Sequence, residues 1–214
     1  MAYEAYKPRH RGRLHQIAFF LSIPAVIALF FSADSRDARV TCAIYGFSVV
    51  GLFFTSSLYN RLSGTSGMRP WMRWLDHSMI YVLIAGSYTP VCWLTLSRSW
   101  SIPVLGIVWT GAIAGIVLKM TQLRRFRRIG GTLYLTIGCF AVFALPKLIS
   151  ALTNAGTFFL FAGGVAYLLG AILLLLRRPN PTLDFGYHEV WHGFVILGAS
   201  SHFAMTWLTV NALG

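Results

Sequence analysis

The sequence contains few charged residues and very few acidic ones. Charged side chains make up 11% of its 214 residues, and only 6 residues are Asp or Glu, against 18 Lys and Arg. A soluble domain is typically about 25% charged, whereas 56% of this chain is hydrophobic and 15% is aromatic. Most of the chain therefore cannot face water, and its length leaves no room for a separate soluble domain.

Cysteine is also scarce, and its placement excludes two kinds of site. Cys42, Cys92 and Cys139 lie in separate apolar runs, and none belongs to a C-x-x-C pair. This pattern favours buried small hydrophobic side chains over a disulfide framework or a thiolate metal site.

Seven apolar runs of about 20 residues follow one another along the chain, each long enough to cross a bilayer. They are Gln16–Ala33, Val40–Tyr59, Leu75–Leu96, Ile102–Met120, Ile129–Ile149, Thr157–Leu176 and Val190–Leu213. Because the backbone must satisfy its own hydrogen bonds in lipid, and the runs do not alternate as barrel strands do, each is predicted to be a helix. The predicted fold is an all-α integral membrane protein: a basic segment 1–15 and one seven-helix domain, 16–214. The first run is too long for a usual signal peptide, and no A-x-A-type cleavage site closes it.

The net charge of +12 comes from basic clusters between the apolar runs. Such clusters, without interleaved aromatic residues, indicate membrane topology and lipid headgroup contacts, so no nucleic-acid partner is expected. The N-terminus and the second, fourth and sixth loops hold 14 of the 18 basic residues. The positive-inside rule therefore predicts a cytoplasmic N-terminus and an outside C-terminus, opposite to a G-protein-coupled receptor.

Polar and ionisable side chains occur at the ends of three predicted spans, where burying a charge costs about 2.5 to 3.5 kcal/mol on insertion scales. Span two ends with Ser56 and Asn60, span three starts with Asp76, and span seven starts with His188 and His192. The charge distribution places all three span ends on the cytoplasmic side. These side chains can therefore meet in one site.

The histidine pair is four residues apart, so His188 and His192 share one helix face about one turn apart. This spacing allows two imidazoles to bind one metal ion, although two interfacial histidines give the same pattern. Asp76 beside a metal could hold and deprotonate a water molecule. The structural alternative for this carboxylate is a salt bridge to Arg61 or Arg73.

Three further observations concern the other polar residues of spans two and seven. Ser56 and Asn60 share a helix face, where hydrogen bonding between helices is the structural alternative. His202 lies roughly 15 Å beyond His192 along a helix, too far for the same ion, so a structural role is expected. Glu189 is turned about 100° from the histidine face and is expected at the membrane interface.

These residues resemble the hemolysin III branch of the progestin and adipoQ receptor family, which is related to the alkaline ceramidases. The matching segments are Ser-Ser-Leu-Tyr-Asn at 56–60, Leu-Asp-His-Ser-Met-Ile-Tyr-Val-Leu-Ile-Ala-Gly-Ser-Tyr-Thr-Pro at 75–90, and His-Glu-Val-Trp-His-Gly-Phe-Val at 188–195, followed by His202 and Phe203. Together with the seven predicted spans, these segments cover nearly the whole chain, and the segment 75–90 is highly specific to this family.

The resemblance implies a zinc ion near the cytoplasmic face, held by one histidine from span two and two from span seven. If the site residues of the family are transferred to this sequence, the span-seven ligands are His188 and His192, and Asp76 holds the water beside the zinc. Ser56 then precedes the span-two ligand by one turn. The implied reaction is ceramidase-like hydrolysis of a lipid amide or ester, in which Asp76 takes the proton of the water. Ser56 then donates a hydrogen bond to the developing oxyanion. The substrate is a membrane lipid that enters sideways from the bilayer.

One position departs from the family pattern, because Asn60 stands where Ser-x-x-x-His has its histidine. An amide oxygen is a much poorer zinc donor than an imidazole. Three outcomes are open: a two-histidine site completed by Asp76, Asn60 or water; replacement of the missing ligand by His77; or loss of the metal. With a degenerate metal site, the alternative function is a non-enzymatic role in lipid homeostasis, signalling or hemolysis. The short N-terminal segment resembles bacterial members, which predicts a bacterial inner membrane.

Overall fold

A computed structural model of the chain describes residues 10–62, 69–120, 136–138 and 140–212, and the regular structure within these ranges is helical throughout. The helices are α1 Arg13–Phe31, α2 Arg36–Leu62, α3 Arg69–Thr95, α4 Arg98–Met120, α5 Ala141–Ala151, α6 Asn154–Leu176 and α7 Tyr187–Ala212. Of these, all except α5 are long and apolar enough to cross a membrane. The prediction of an all-α, multi-pass membrane protein is confirmed.

The fifth predicted span, Ile129–Ile149, coincides only in part with the described residues. Helix α5 covers its second half and contains Pro146, whereas residues 129–135 and 139 lie outside the described ranges. The prediction for Cys139 therefore falls outside them as well. Cys42 and Cys92 are buried and unpaired, as their apolar surroundings predicted.

Several helices extend beyond the apolar runs that predicted them. Helix α1 begins inside the predicted basic segment, α3 begins at Arg69, and α7 begins at Tyr187. At the start of α7, the Gly186 amide donates to Glu189 Oε2 at 2.8 Å, and the Glu189 amide donates to the Gly186 carbonyl at 3.1 Å. This is a reciprocal cap of the helix N-terminus. The interfacial position predicted for Glu189 is therefore wrong: the residue is only 1% exposed because it caps α7 from inside the bundle.

Helices adjacent in sequence pack against each other in the pairs α1 with α2, α2 with α3, α3 with α4, and α6 with α7. Helix α7 also contacts α1 and α3, and the Tyr45 hydroxyl of α2 donates to the Ala199 carbonyl of α7 at 3.3 Å. The most buried helices are α2 and α3. The return of α7 onto the first three helices brings the distant polar segments of the sequence together.

A glycine lets α6 and α7 approach closely around His202. A Cβ at Gly163 would overlap the His202 ring, and the ring of Tyr167 packs edge-on against the same imidazole, with centroids 5.5 Å apart. Small residues allow this kind of close packing between membrane helices. His202 thus packs between α6 and α7, consistent with the structural role that the sequence predicted.

Candidate functional site

Four helix termini meet at one end of the bundle: the starts of α1, α3 and α7 and the end of α2. We call this the inner end, because the charge distribution assigns it to the cytoplasm. Every residue that the sequence singled out for chemistry lies here. The structure also adds residues that sequence reasoning missed.

Ser56 and Asn60 lie one turn apart near the end of α2, and both are buried, with 3% and 2% of their surface exposed. The Asn60 amide nitrogen donates to the Ser56 carbonyl at 2.9 Å, and the amide oxygen accepts from Arg11 Nε at 3.2 Å. Because a carbonyl only accepts and a guanidinium only donates, these two partners fix the orientation of the amide. Both ends of the Asn60 side chain are therefore engaged.

Asp76 lies in the second turn of α3, where its carboxylate is hydrogen-bonded to the Ser56 side chain. Among the described residues, it forms no salt bridge to either of the two arginines proposed from the sequence. The neighbouring His77 has Nδ1 3.7 Å from Asp76 Oδ2, but this nitrogen donates to the Arg73 carbonyl at 2.7 Å. The predicted association of Ser56 with Asp76 thus exists, whereas His77 is bonded to its own helix.

His188 and His192 contact each other on α7, as their spacing predicted. Their ring centroids are 4.5 Å apart and the rings are inclined by 61°. His192 is 2% exposed, and its Nδ1 has no hydrogen-bond partner among the residues that the structure describes. His192 is therefore buried with an unused ring nitrogen, and His188 beside it is partly buried.

His15, in the first turn of α1, is the residue that the sequence analysis missed. Its ring stacks on that of His192, with centroids 3.7 Å apart and planes inclined by 13°, and it lies edge-on to Phe53 at 5.2 Å. It is 2% exposed, and neither ring nitrogen has a hydrogen-bond partner within the described part of the chain. Its position at the predicted cytoplasmic start of the first apolar run was the available signal, but the predicted span began one residue later.

A tight turn before α1 brings Arg11 into the site. Gly12 has φ +83°, and a Cβ at this position would lie 2.7 Å from Asn60 Cβ, so glycine allows the turn to contact the end of α2. Arg11 is close enough to interact electrostatically with Asp76, His188 and His192. Asp76 and the histidine pair therefore lie within electrostatic range of the same guanidinium group.

The donor atoms at the inner end suit a metal, but they do not yet form a metal-binding geometry. Among the described residues, no three His, Cys, Asp or Glu side chains are placed to hold one ion. The stacked rings of His15 and His192 are nearly parallel, so their in-plane nitrogen lone pairs do not converge. Three imidazoles and one carboxylate nevertheless match the donors that zinc prefers, and a turn of one ring about its Cβ–Cγ bond would redirect its nitrogens.

Comparison with known proteins places this arrangement in a family. The family model described as Haemolysin-III related matches residues 3–203. Hemolysin-3 of Bacillus cereus is 36% identical over 192 residues, which cover 88% of this chain and 85% of the relative. The Hemolysin-3 homolog of Bacillus subtilis (strain 168) is 34% identical over 192 residues, which cover 88% of this chain and 87% of the relative. The chain belongs to the haemolysin-III related family.

Proposed function

We propose that this chain is a membrane hydrolase that cleaves an amide or ester bond of a lipid, with zinc as its metal. The observation that carries the proposal is the contact between the imidazole rings of His15, His188 and His192, within electrostatic range of the same Arg11 that interacts with Asp76. Leaving a buried donor or acceptor unpaired costs about 1–3 kcal/mol. A bound ion that uses these nitrogens would offset this cost.

The side chains at the inner end include imidazole and carboxylate, two of the donor types that zinc takes. Catalytic zinc sites take three protein ligands and keep a position open, and imidazole is among their common ligands. His188 and His192 would hold the ion, and bound zinc would supply a Lewis acid that activates water and polarises a carbonyl group. Asp76, Ser56 and Arg11 lie beside this pair with the chemistry of a base, a hydrogen-bond donor and a fixed positive charge.

Asp76 is the residue best suited to act as the general base. Its carboxylate is held by Ser56, and its side chain is only 15% exposed, so a positioned water could pass its proton to it. The same Ser56 hydroxyl can donate its hydrogen bond to an oxyanion that develops at the substrate carbonyl. Because this hydroxyl has one proton to donate, it would orient Asp76 first and turn to the oxyanion only after Asp76 has taken the proton of the water.

A lipid substrate is supported by the surface beside the site. The turns of α1 that follow His15 expose Ile17, Phe20 and Leu21, an apolar surface that suits contact with acyl chains. A lipid in the adjoining leaflet would meet the inner end with its amide or ester group near the interface. Membrane lipids are therefore the expected partners, and an acylated or ceramide-like lipid is the expected substrate.

One observation favours a second candidate function. The Arg11 guanidinium is bonded to the Asn60 oxygen, and a fixed positive charge near the histidines opposes binding of a dication. A site without metal would make the chain a non-enzymatic membrane protein of lipid homeostasis or signalling. The Bacillus cereus relative is named Hemolysin-3, which adds haemolysis as a variant of this alternative.

The deciding experiment measures zinc and hydrolysis on the same detergent-purified protein. We expect near-stoichiometric zinc in the wild type and none in the variant His188→Ala with His192→Ala. His202→Ala is the matched control, because it removes another partly buried histidine of α7 that lies outside the site. The zinc-loaded wild type should release fatty acid from ceramide or phospholipid in mixed micelles, detected by mass spectrometry. A wild type that takes up no zinc at saturating concentration would sink the proposal in favour of the non-enzymatic alternative.

A further inference from the structure

We propose that Arg11, in the turn before α1, binds the phosphate group of a membrane lipid at the inner end, and that Asn60 holds its guanidinium in place for this contact. Such a contact requires neither a metal ion nor hydrolysis, so it goes beyond the proposed function. It would distinguish phospholipids from ceramide, which carries no phosphate.

The guanidinium of Arg11 is anchored through one nitrogen. Its Nε donates to the Asn60 oxygen at 3.2 Å, and the Asn60 amide nitrogen donates to the Ser56 carbonyl at 2.9 Å. Nη1 and Nη2 have no hydrogen-bond partner in the part of the chain that the structure describes. Two parallel N–H groups of a guanidinium match two oxygens of a phosphate. The anchored arginine therefore keeps the end of its fork for such a group.

The backbone of the turn fixes where this fork lies. A Cβ at Gly12 would lie 2.7 Å from Asn60 Cβ, so the chain passes directly against the end of α2. The His10 amide donates to the Asp184 carbonyl at 3.3 Å, which ties the turn to the segment before α7 as well. A side chain that is already ordered loses less entropy when it binds a ligand. The turn thus prepares Arg11 for binding.

Acidic side chains do not use up the positive charge at this turn. Neither Arg11 nor Arg61 forms a salt bridge with another described residue, and Arg61 Cγ lies 3.3 Å from where a Gly12 Cβ would be. Asp76 is within electrostatic range of Arg11, but its carboxylate is bonded to Ser56. Two arginines beside one carboxylate leave a net positive charge, which attracts an anionic headgroup of the adjoining leaflet.

The surface after the turn favours a lipid over a soluble phosphate. Arg11 is partly exposed. The next turns of α1 expose Ile17, Phe20 and Leu21 by 57%, 61% and 67%. A lipid can lay its acyl chains along this apolar face while its phosphate lies at the start of the helix, beside Arg11. Both parts of a phospholipid therefore have a matching surface.

The test measures lipid binding to the metal-free, full-length protein in detergent by native mass spectrometry. Phosphatidic acid is the probe, diacylglycerol with the same acyl chains lacks the phosphate, and glycerol phosphate lacks the chains. We expect phosphatidic acid to bind at least about tenfold more tightly than diacylglycerol, the effect of one hydrogen bond to a charged group. Glycerol phosphate at the same concentration should not displace the lipid.

Four variants locate the contact. Arg11→Gln should abolish the preference for phosphatidic acid, because glutamine can still donate to Asn60 but has no charged fork. Arg11→Lys should keep only part of the preference, since a point charge replaces the paired donors. Asn60→Ala should weaken it by releasing the guanidinium. Arg178→Gln is the matched control, because it removes an exposed arginine from the loop before α7 and should leave binding unchanged.

Three results would overturn the inference. Equal binding of phosphatidic acid and diacylglycerol to the wild type does so without any variant. Equal losses in Arg11→Gln and Arg178→Gln would indicate general attraction by surface charge. Displacement by glycerol phosphate would make a soluble phosphate the ligand. Thermal unfolding in the same detergent verifies that each variant is folded. A wild type that takes up no zinc defeats the proposed hydrolase but leaves these lipid-binding results standing.

Discussion

Polar side chains gather at both ends of the bundle, and the two groups differ in how their bonding capacity is used. At the end opposite the candidate site, Asp37 Oδ2 accepts from Trp93 Nε1 and from Arg98 Nη2, each at 2.9 Å. The Arg98 guanidinium also lies over the Trp93 ring, 3.8 Å from its centroid. Here the charged groups have partners and are about half exposed.

The inner end shows the opposite pattern. His15 and His192 are almost fully buried, yet three of their four ring nitrogens are without a partner among the described residues. Paired, exposed charges need no further ligand, because water and their neighbours already satisfy them. Unpartnered ring nitrogens also occur at His202 between α6 and α7, so it is the contact of several such rings at the inner end that indicates a ligand site. The comparison therefore separates polar residues that tie helices together from those available for chemistry.

The largest expected effect comes from the carboxylate at the inner end. Asp76→Asn removes the proposed general base while keeping the size and the contact with Ser56. We expect lipid hydrolysis to fall by about 10²–10⁴-fold, the usual contribution of general base catalysis, with zinc content retained. The readout is fatty-acid release together with metal analysis of the same sample.

Asp37→Asn at the opposite end is the control for this change. It should leave both hydrolysis and zinc content at the wild-type level, because Asp37 belongs to the paired and exposed group. Equal loss of activity in both variants would mean that the two ends do not differ in function.

A smaller effect is expected from restoring the missing histidine. Asn60→His places an imidazole one turn after Ser56 and removes the acceptor of Arg11, so zinc affinity should rise by roughly tenfold, within the range that neighbours of a metal site contribute. Chelator competition measures the change. Unchanged affinity would mean that position 60 does not face the ion.

The smallest effect is expected at the end opposite the site. The ion pair between Arg98 and Asp37 is about half exposed, and such pairs contribute about 0–1 kcal/mol. A double-mutant cycle with Arg98→Gln and Asp37→Asn, followed by unfolding in detergent, should give a coupling energy within that range. A coupling of several kcal/mol would show that this pair is structurally essential and would weaken the contrast between the ends.

Much of the fold and part of the site followed from local sequence properties. A run of about 20 apolar residues must become a helix in lipid, so the class of fold needed no knowledge of tertiary contacts. The contact between His188 and His192 followed from the helical repeat. Glu189 was misjudged because only its angular position on the helix was considered. Its side chain caps the start of α7 by accepting from the Gly186 amide, and this contact buries it.

The resemblance to the family showed that Asn60 stands where its pattern has a histidine. The sequence by itself determined that this is a helical membrane protein and which polar residues share its inner end. These properties depend on hydropathy, charge and residue spacing, which act over one or two helical turns. Only the tertiary structure decided that His15 stacks on His192 and that Arg11 engages Asn60. Both contacts join the start of the chain to distant helices, and such contacts arise from helix packing and the turn at Gly12, which residue spacing does not encode.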